Sequence, residues 1–410
     1  MKFPLVWGAL LAALLLQQTL VRAARPDGID LTSYLLSAQA LAHGASPYVL
    51  ATPFPYLYPP TLALLLIPLA PAPPVAAVVL WFALNAGAAV WAIRRTVLAA
   101  DPRLAGQPNT LWTFLALFFT FFFPIVQSNL RNGQVNFLVL ALCVAAAGAG
   151  GSRGSSGSRG SSGSGGSRGS GGSGGAHDQP DRSEPRAVAS PALPAHPAPP
   201  ALLWSLAVAI KLVPLVLLPW FALRRTRAWT LMALLLCGAW LLLPGVILGA
   251  RIIDIYRQFG DVLMAAGFSP GSAPLDFSLA GAISALTGAP ATAALRVSAA
   301  AIVFGWILQA DARRLRRERV RPLALYLLGI PLASPKSEVH HLAFMLPGAA
   351  VTALACWRAA WRSRTVLIAA AAAAALYVIA IAWPQASGPL YCAALLAVWI
   401  AIANVPKPCD

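Results

Sequence analysis

The chain has 410 residues, 58% of them hydrophobic and 10% charged, with a mean hydropathy of +0.70 and a net charge of +17. Soluble domains carry about 25% charged residues, so this composition excludes an ordinary soluble enzyme and describes a chain that crosses a membrane several times. The basic residues sit in short clusters between apolar runs, not on a basic face interleaved with aromatics, which excludes nucleic-acid binding and reads as membrane-topology signal.

The opening "MKFPLVWGALLAALLLQQTLVRAAR" predicts an uncleaved first span, because bulky residues stand where a signal peptide needs a small-x-small site. A polar loop follows at 25–60, and "PPTLALLLIPLAPAPP" (59–74) is too short and too bounded by proline to span, so it predicts an interfacial or re-entrant helix. Further spans are expected near 73–93, 110–126, 134–149, 200–210, 212–223, 228–249, 295–310, 322–334, 341–357, 364–383 and 389–404. With the first, near 4–20, they make an all-α polytopic fold of about twelve helices, several shorter than the roughly 20 residues of a straight span. A second interfacial piece is expected at 277–290.

Three regions follow. Residues 1–149 form an N-terminal membrane part and 200–410 a C-terminal one. Between them, 150–199 is Gly/Ser/Arg-rich and then Pro/Ala-rich, a composition with too few apolar side chains to build a core, expected to be a disordered cytoplasmic linker. The cysteines at 143, 237, 356, 392 and 409 lack metal-ligand spacing, and neither a metal nor a cofactor is implied.

Placing the arginine clusters (94–103, the linker, 224–227, 312–321 and 358–364) and both termini in the cytoplasm puts 22 of the 30 basic residues there and 8 outside. The polar segments then all fall on the outer side: 25–60, "QSNLRNGQVN" (127–136), the turn "IKLVP" (210–214), 251–277 and "SPKSEVHH" (334–341). Polar residues at membrane depth are functional candidates by default.

In order along the chain, "DLTSY" (30–34), "AHGASPY" (42–48), "YPP" (58–60), "RNGQVN" (131–136), "AIKLVP" (209–214) and "SPKSEVHHL" (334–342) resemble glycosyltransferase family 87. Those are GT-C-type membrane mannosyltransferases that use polyprenyl-phosphate mannose, the phosphatidylinositol-mannoside enzymes among them. The resemblance implies a bacterial cytoplasmic-membrane enzyme with its site on the outer face, a lipid-linked hexose donor, a glycolipid or glycan acceptor and an inverting mechanism.

Sugar transfer needs a base for the acceptor hydroxyl, and the resemblance assigns that role to Asp30, with Asp27 as the alternate. Against it stands a simpler role, since aspartate is a favoured N-cap for the helix starting at "LTSYLLSAQAL". A departing lipid phosphate develops negative charge, and Lys211, His340, His341, Lys336 and Arg131 are the cations or donors available to it. The adjacent histidines are expected to point about 100° apart, leaving one on the phosphate. Tyr34, one turn after Asp30, with Tyr58, Gln134 and Asn136, are the candidate substrate contacts. Gln134 and Asn136 equally suit a helix start, and Tyr58, with Tyr48, Phe54 and Tyr56, equally suits an interfacial aromatic belt. A secondary transporter for a polar or anionic solute is the alternative function. It predicts paired helix breaks in two related halves, and the chain shows one, at 200–223. A scaffold protein would need no outer cluster of Asp, Lys and His.

Overall fold

Backbone amides and carbonyls placed in hydrocarbon must bond one another, which leaves helices for runs as apolar as these. The computed structural model describes residues 2–50, 54–148, 198–268, 276–312, 318–358 and 363–405, and no strand occurs among them. Helices α1 (Lys2–Ala23), α2 (Asp30–Ala42), α3 (Pro60–Leu66), α4 (Pro74–Ala100), α5 (Pro108–Phe121), α6 (Phe123–Arg131) and α7 (Asn136–Gly148) form the N-terminal part. After the undescribed segment come α8 (Ala198–Ile210), α9 (Leu218–Arg224), α10 (Arg227–Leu242), α11 (Gly245–Leu248), α12 (Ile252–Phe268), α13 (Leu279–Thr287) and α14 (Ala293–Ala310). The chain closes with α15 (Val320–Ala333), α16 (Leu346–Trp357), α17 (Arg364–Ala382) and α18 (Ser387–Asn404).

All twelve predicted spans coincide with helical stretches, but length divides them. Among the described residues, seven helical segments are long and apolar enough to cross a membrane, and α5 with α6, bent by 75° at a break, would be an eighth. Five other apolar helices are shorter: Pro60–Leu69, Asn136–Gly148, Ala198–Ile210, Val213–Arg224 and Val320–Ala333. The proline-bounded 59–74 segment is helical, as is the second expected piece, which forms α13. The 150–199 linker lies outside the described residues except for its last two, because α8 already starts at Ala198. Pro199 and Pro200 fit in that first turn, where backbone N–H groups have no partner in the helix.

Helix α15 is the centre. Its residues from Arg321 to Leu332 are all buried, as expected of a helix apolar on every side. Around it pack α14, α16, α18 and the 3-10 turns Val213–Leu217 and Val339–Met345, while α4 lies on α7, α7 on α8, and α8 on α10. The chain reverses after α8: Trp204 Nε1 donates to Pro214 O at 3.0 Å, so Lys211 sits at the tip of a helical hairpin. Helix α1 is tied in by Trp7 Nε1 to Thr120 Oγ1 (2.8 Å) and Gln127 Nε2 to Gln18 Oε1 (2.7 Å).

Candidate active site at the polar end of the bundle

The break between α6 and α7 builds the first wall. Gly133 takes φ +66°, and a Cβ there would stand 3.0 Å from Ile29 Cδ1 and 3.1 Å from Leu31 Cβ. Only glycine lets this loop press so closely on the start of α2. Trp81 Nε1 holds Gly133 O at 2.8 Å, and the Asp30 amide donates to Asn132 O at 2.9 Å. The N-terminal ends of α2 and α7 are thereby locked side by side, although Asp30 and Asn132 are about a hundred residues apart.

That lock sets Asp30 against Gln134. Gln134 Nε2 donates to Asp30 Oδ2, and Gln134 Oε1 accepts from Tyr58 OH at 3.1 Å, which in turn accepts from Tyr34 OH at 2.8 Å. Every proton in this chain points towards the carboxylate. Among the described residues Asp30 Oδ1 has no hydrogen-bond partner. The capping reading of Asp30 is not what the structure shows: Ile29 is the N-cap residue, and its amide donates to Thr32 Oγ1 at 3.2 Å. Burial pushes the Asp30 carboxyl up to about 6, against the Gln134 hydrogen bond and the charge of Lys211, which favour the carboxylate.

A second cluster adjoins it. Lys211 Nζ donates to Asn136 Oδ1 at 2.8 Å and lies 5.3 Å from the centre of the Tyr58 ring. Asn136 Nδ2 donates to Asn129 Oδ1 (3.0 Å) and to His340 O (3.0 Å), and Asn129 Nδ2 also reaches His340 O (3.1 Å). Two asparagines therefore rivet the histidine turn to α6 and α7. Lys336 Nζ stands 3.3 Å from Glu338 Oε1, and His340 Nδ1 3.7 Å from Glu338 Oε2. Arg131 is half-buried, and among the described residues its side chain has no hydrogen-bond or ion-pair partner.

Three expectations change. The histidines do not diverge: their ring centres lie 4.3 Å apart. They sit on a tight 3-10 turn, and the Glu338 amide draws the His341 ring back by donating to its Nδ1 at 3.2 Å. With Nδ1 accepting, the proton of neutral His341 resides on Nε2, which becomes a donor. Tyr34 and Asn136, expected as substrate contacts, are 1% and 0% exposed and spend hydrogen bonds on Tyr58 and Lys211. The belt reading fails for two of the four aromatics, while Tyr48 and Phe54 are half-buried. Tyr56 and Tyr58 are buried, and Tyr56 OH donates to Pro59 O (2.9 Å) and accepts from the Ala63 amide (2.9 Å).

Sequence reasoning did not single out Asn129 or Trp81. An asparagine inside "IVQSNL" is itself a polar residue at membrane depth, so Asn129 carried a readable signal. Trp81 carried none, since a tryptophan in an apolar helix is ordinary. Away from the polar cluster, an apolar cavity of about 270 Å³ runs along α16 from Met345, the end of the histidine turn, to Trp357, with Phe118 and Tyr377 on its other walls. No group of three or more metal-ligating side chains occurs among the described residues.

The sequence model of glycosyltransferase family 87 matches residues 56–165. Neither a curated protein nor a solved structure matches the chain. The matched stretch contains Tyr58, Arg131, Gln134 and Asn136, whereas Asp30, Lys211, Lys336, His340 and His341 lie outside it. The match points to a membrane glycosyltransferase, and so to a sugar donor, an acceptor and a bilayer as its partners.

Proposed function

We propose that this chain is a GT-C-type enzyme of about twelve membrane helices that moves a hexose, mannose by the family's precedent, from a polyprenyl-phosphate donor to an acceptor hydroxyl. The reaction takes place at the outer face of a bacterial cytoplasmic membrane, with both termini inside. The observation that carries the reading is the half-satisfied Asp30 carboxylate: Oδ2 is held by Gln134 and Oδ1 is left for an incoming proton donor.

The acceptor oxygen attacks the anomeric carbon while its proton passes to Asp30 Oδ1. The bond from that carbon to the donor phosphate breaks on the opposite side, and its electron pair leaves with the phosphate, which inverts the configuration. The leaving phosphate gains charge beside Lys211, Arg131 and the Nε2–H of His341, with Lys336 at the rim. Lys211 is held by a neutral amide rather than a carboxylate, so its charge stays available to an anion. The cavity from Met345 to Trp357 suits an isoprenoid chain whose headgroup meets the histidine turn. Depth in the bilayer thus selects a lipid-linked donor.

The test is to incubate the protein in lipid nanodiscs with radiolabelled polyprenyl-phosphate mannose or glucose and a glycolipid extract. A labelled glycolipid is expected. No transfer from any such donor, together with uptake of a polar solute into vesicles holding the protein, would replace this reading with transport.

A further inference from the structure

We infer that Asp276, clamped by Arg296, is a positioning residue that sets the Ser337–His341 segment in its working geometry, an inference that rests on the role proposed for that segment at the donor phosphate.

The clamp is built from three directions. Asp276 Oδ1 accepts from the Ser337 amide at 2.9 Å and from the Ser278 amide at 3.0 Å, while Oδ2 faces Arg296 Nη1 at 3.2 Å. The Phe277 amide returns a bond to Ser337 O at 2.9 Å, so both backbone groups of Ser337 are held. Arg296 is fixed in turn by its Nε, which donates to Ala291 O at 3.1 Å. Both side chains of the ion pair are 3% exposed. The ring of Phe277 packs 4.6 Å from that of Tyr391 on α18, and Ser278 Oγ caps α13 through the Gly281 amide at 3.0 Å. A Cβ at Gly281 would fall 2.4 Å from Asp276 Cγ, so the clamp also excludes any side chain there.

The consequence lies one residue further on. Two successive amides have complementary roles: that of Ser337 is bound by Asp276, and that of Glu338 binds His341 Nδ1. Releasing the first lets the second swing, and the His341 Nε2–H loses its direction. A buried ion pair is poor value as a stabiliser, because apolar side chains of similar volume often do as well. A positional role explains what stability does not: this carboxylate grips a backbone amide of the segment that carries the histidines.

Two double variants separate position from stability. Asp276→Asn with Arg296→Gln keeps an oxygen for the Ser337 amide and removes both charges. Asp276→Ala with Arg296→Leu removes the acceptor and leaves no buried charge. Amide hydrogen exchange across residues 337–341 and the KM for the polyprenyl-phosphate hexose are measured on both, beside the parent protein. In the Ala/Leu variant alone, exchange is expected to quicken across 337–341 and donor KM to rise about tenfold or more, with a smaller change in kcat. A folded Ala/Leu variant with parental exchange in this segment, or with a loosened segment and parental donor KM, would overturn the inference. Should that variant not fold, Asp276→Glu keeps the ion pair, shifts the carboxylate by one methylene and is held to the same two readouts. A parent protein that transfers no sugar would sink the proposed function, while the exchange measurement would still decide the clamp.

Discussion

The two ends of the bundle handle charge in opposite ways. At the arginine-rich end, charge is cancelled by charge. Arg224 grips Asp311 with both terminal nitrogens, Tyr326 OH adds a bond to Asp311 Oδ2 at 3.4 Å, and Arg224 Nε reaches Glu318 O at 3.2 Å. Arg321 forks onto Glu318 and also reaches Val405 O, and Arg358 pairs with Asp101. At the polar end, Asp30 and Lys211 are held by neutral amides, those of Gln134 and Asn136, while Lys336 at the rim keeps a carboxylate partner in Glu338. Arg131 has no hydrogen-bond or ion-pair partner among the described residues. An ion pair closes a structure, whereas a charge steadied by an amide keeps its field for a ligand. The same contrast separates two carboxylates of the polar end: Asp276 is matched to Arg296, whereas Asp30 is bonded by the Gln134 amide through one oxygen.

The most damaging way to break this contrast is Asp30→Asn. Loss of a general base costs about 10²–10⁴-fold in rate, so turnover should nearly vanish while polyprenyl-phosphate binding persists. The raised carboxyl gives the sign of the stability effect. Burial disfavours the ionised form, so above pH 6 the asparagine variant should melt no lower than the parent. In the parent, kcat should climb as pH rises through about 6, where Asp30 becomes the free base. At pH 5 it should stand at roughly a tenth of its plateau. Full turnover by the asparagine variant would move the search for the base to Asp27.

Arg224→Leu breaks the opposite end. It strands a buried Asp311 carboxylate and should cost about 3 kcal/mol or more of stability. Detergent melting should fall clearly, with kcat per folded molecule unchanged. A selective loss of kcat would refute the division between a locking end and a reacting end. The gentlest test is Tyr58→Phe, which removes the bond that orients the Gln134 amide. One such hydrogen bond is worth about 1 kcal/mol, so kcat should drop about fivefold with donor KM held. A change confined to donor KM would instead place Tyr58 with Lys211, whose charge lies over its ring.

Much of this was legible along the chain. All twelve apolar runs fall on helical stretches, although α12 formed in a segment read only as a polar loop, and the polar segments contain nearly all the residues that meet at the polar end. Hydrophobicity and helical period are local and accumulate residue by residue, so a window of twenty positions suffices to read them. The sequence by itself therefore determined the all-helical membrane class and the inventory of polar groups. It could not rank them. That Asp30 meets Gln134, that Asn136 lies beneath Lys211 and reaches His340 O, and that Asp276 holds Ser337 were decided by the tertiary structure alone. These contacts join positions some 60 to 200 residues apart, and no local preference encodes them. Whether a charge is cancelled or left free depends on which distant loop arrives beside it, and that follows from how the helices pack.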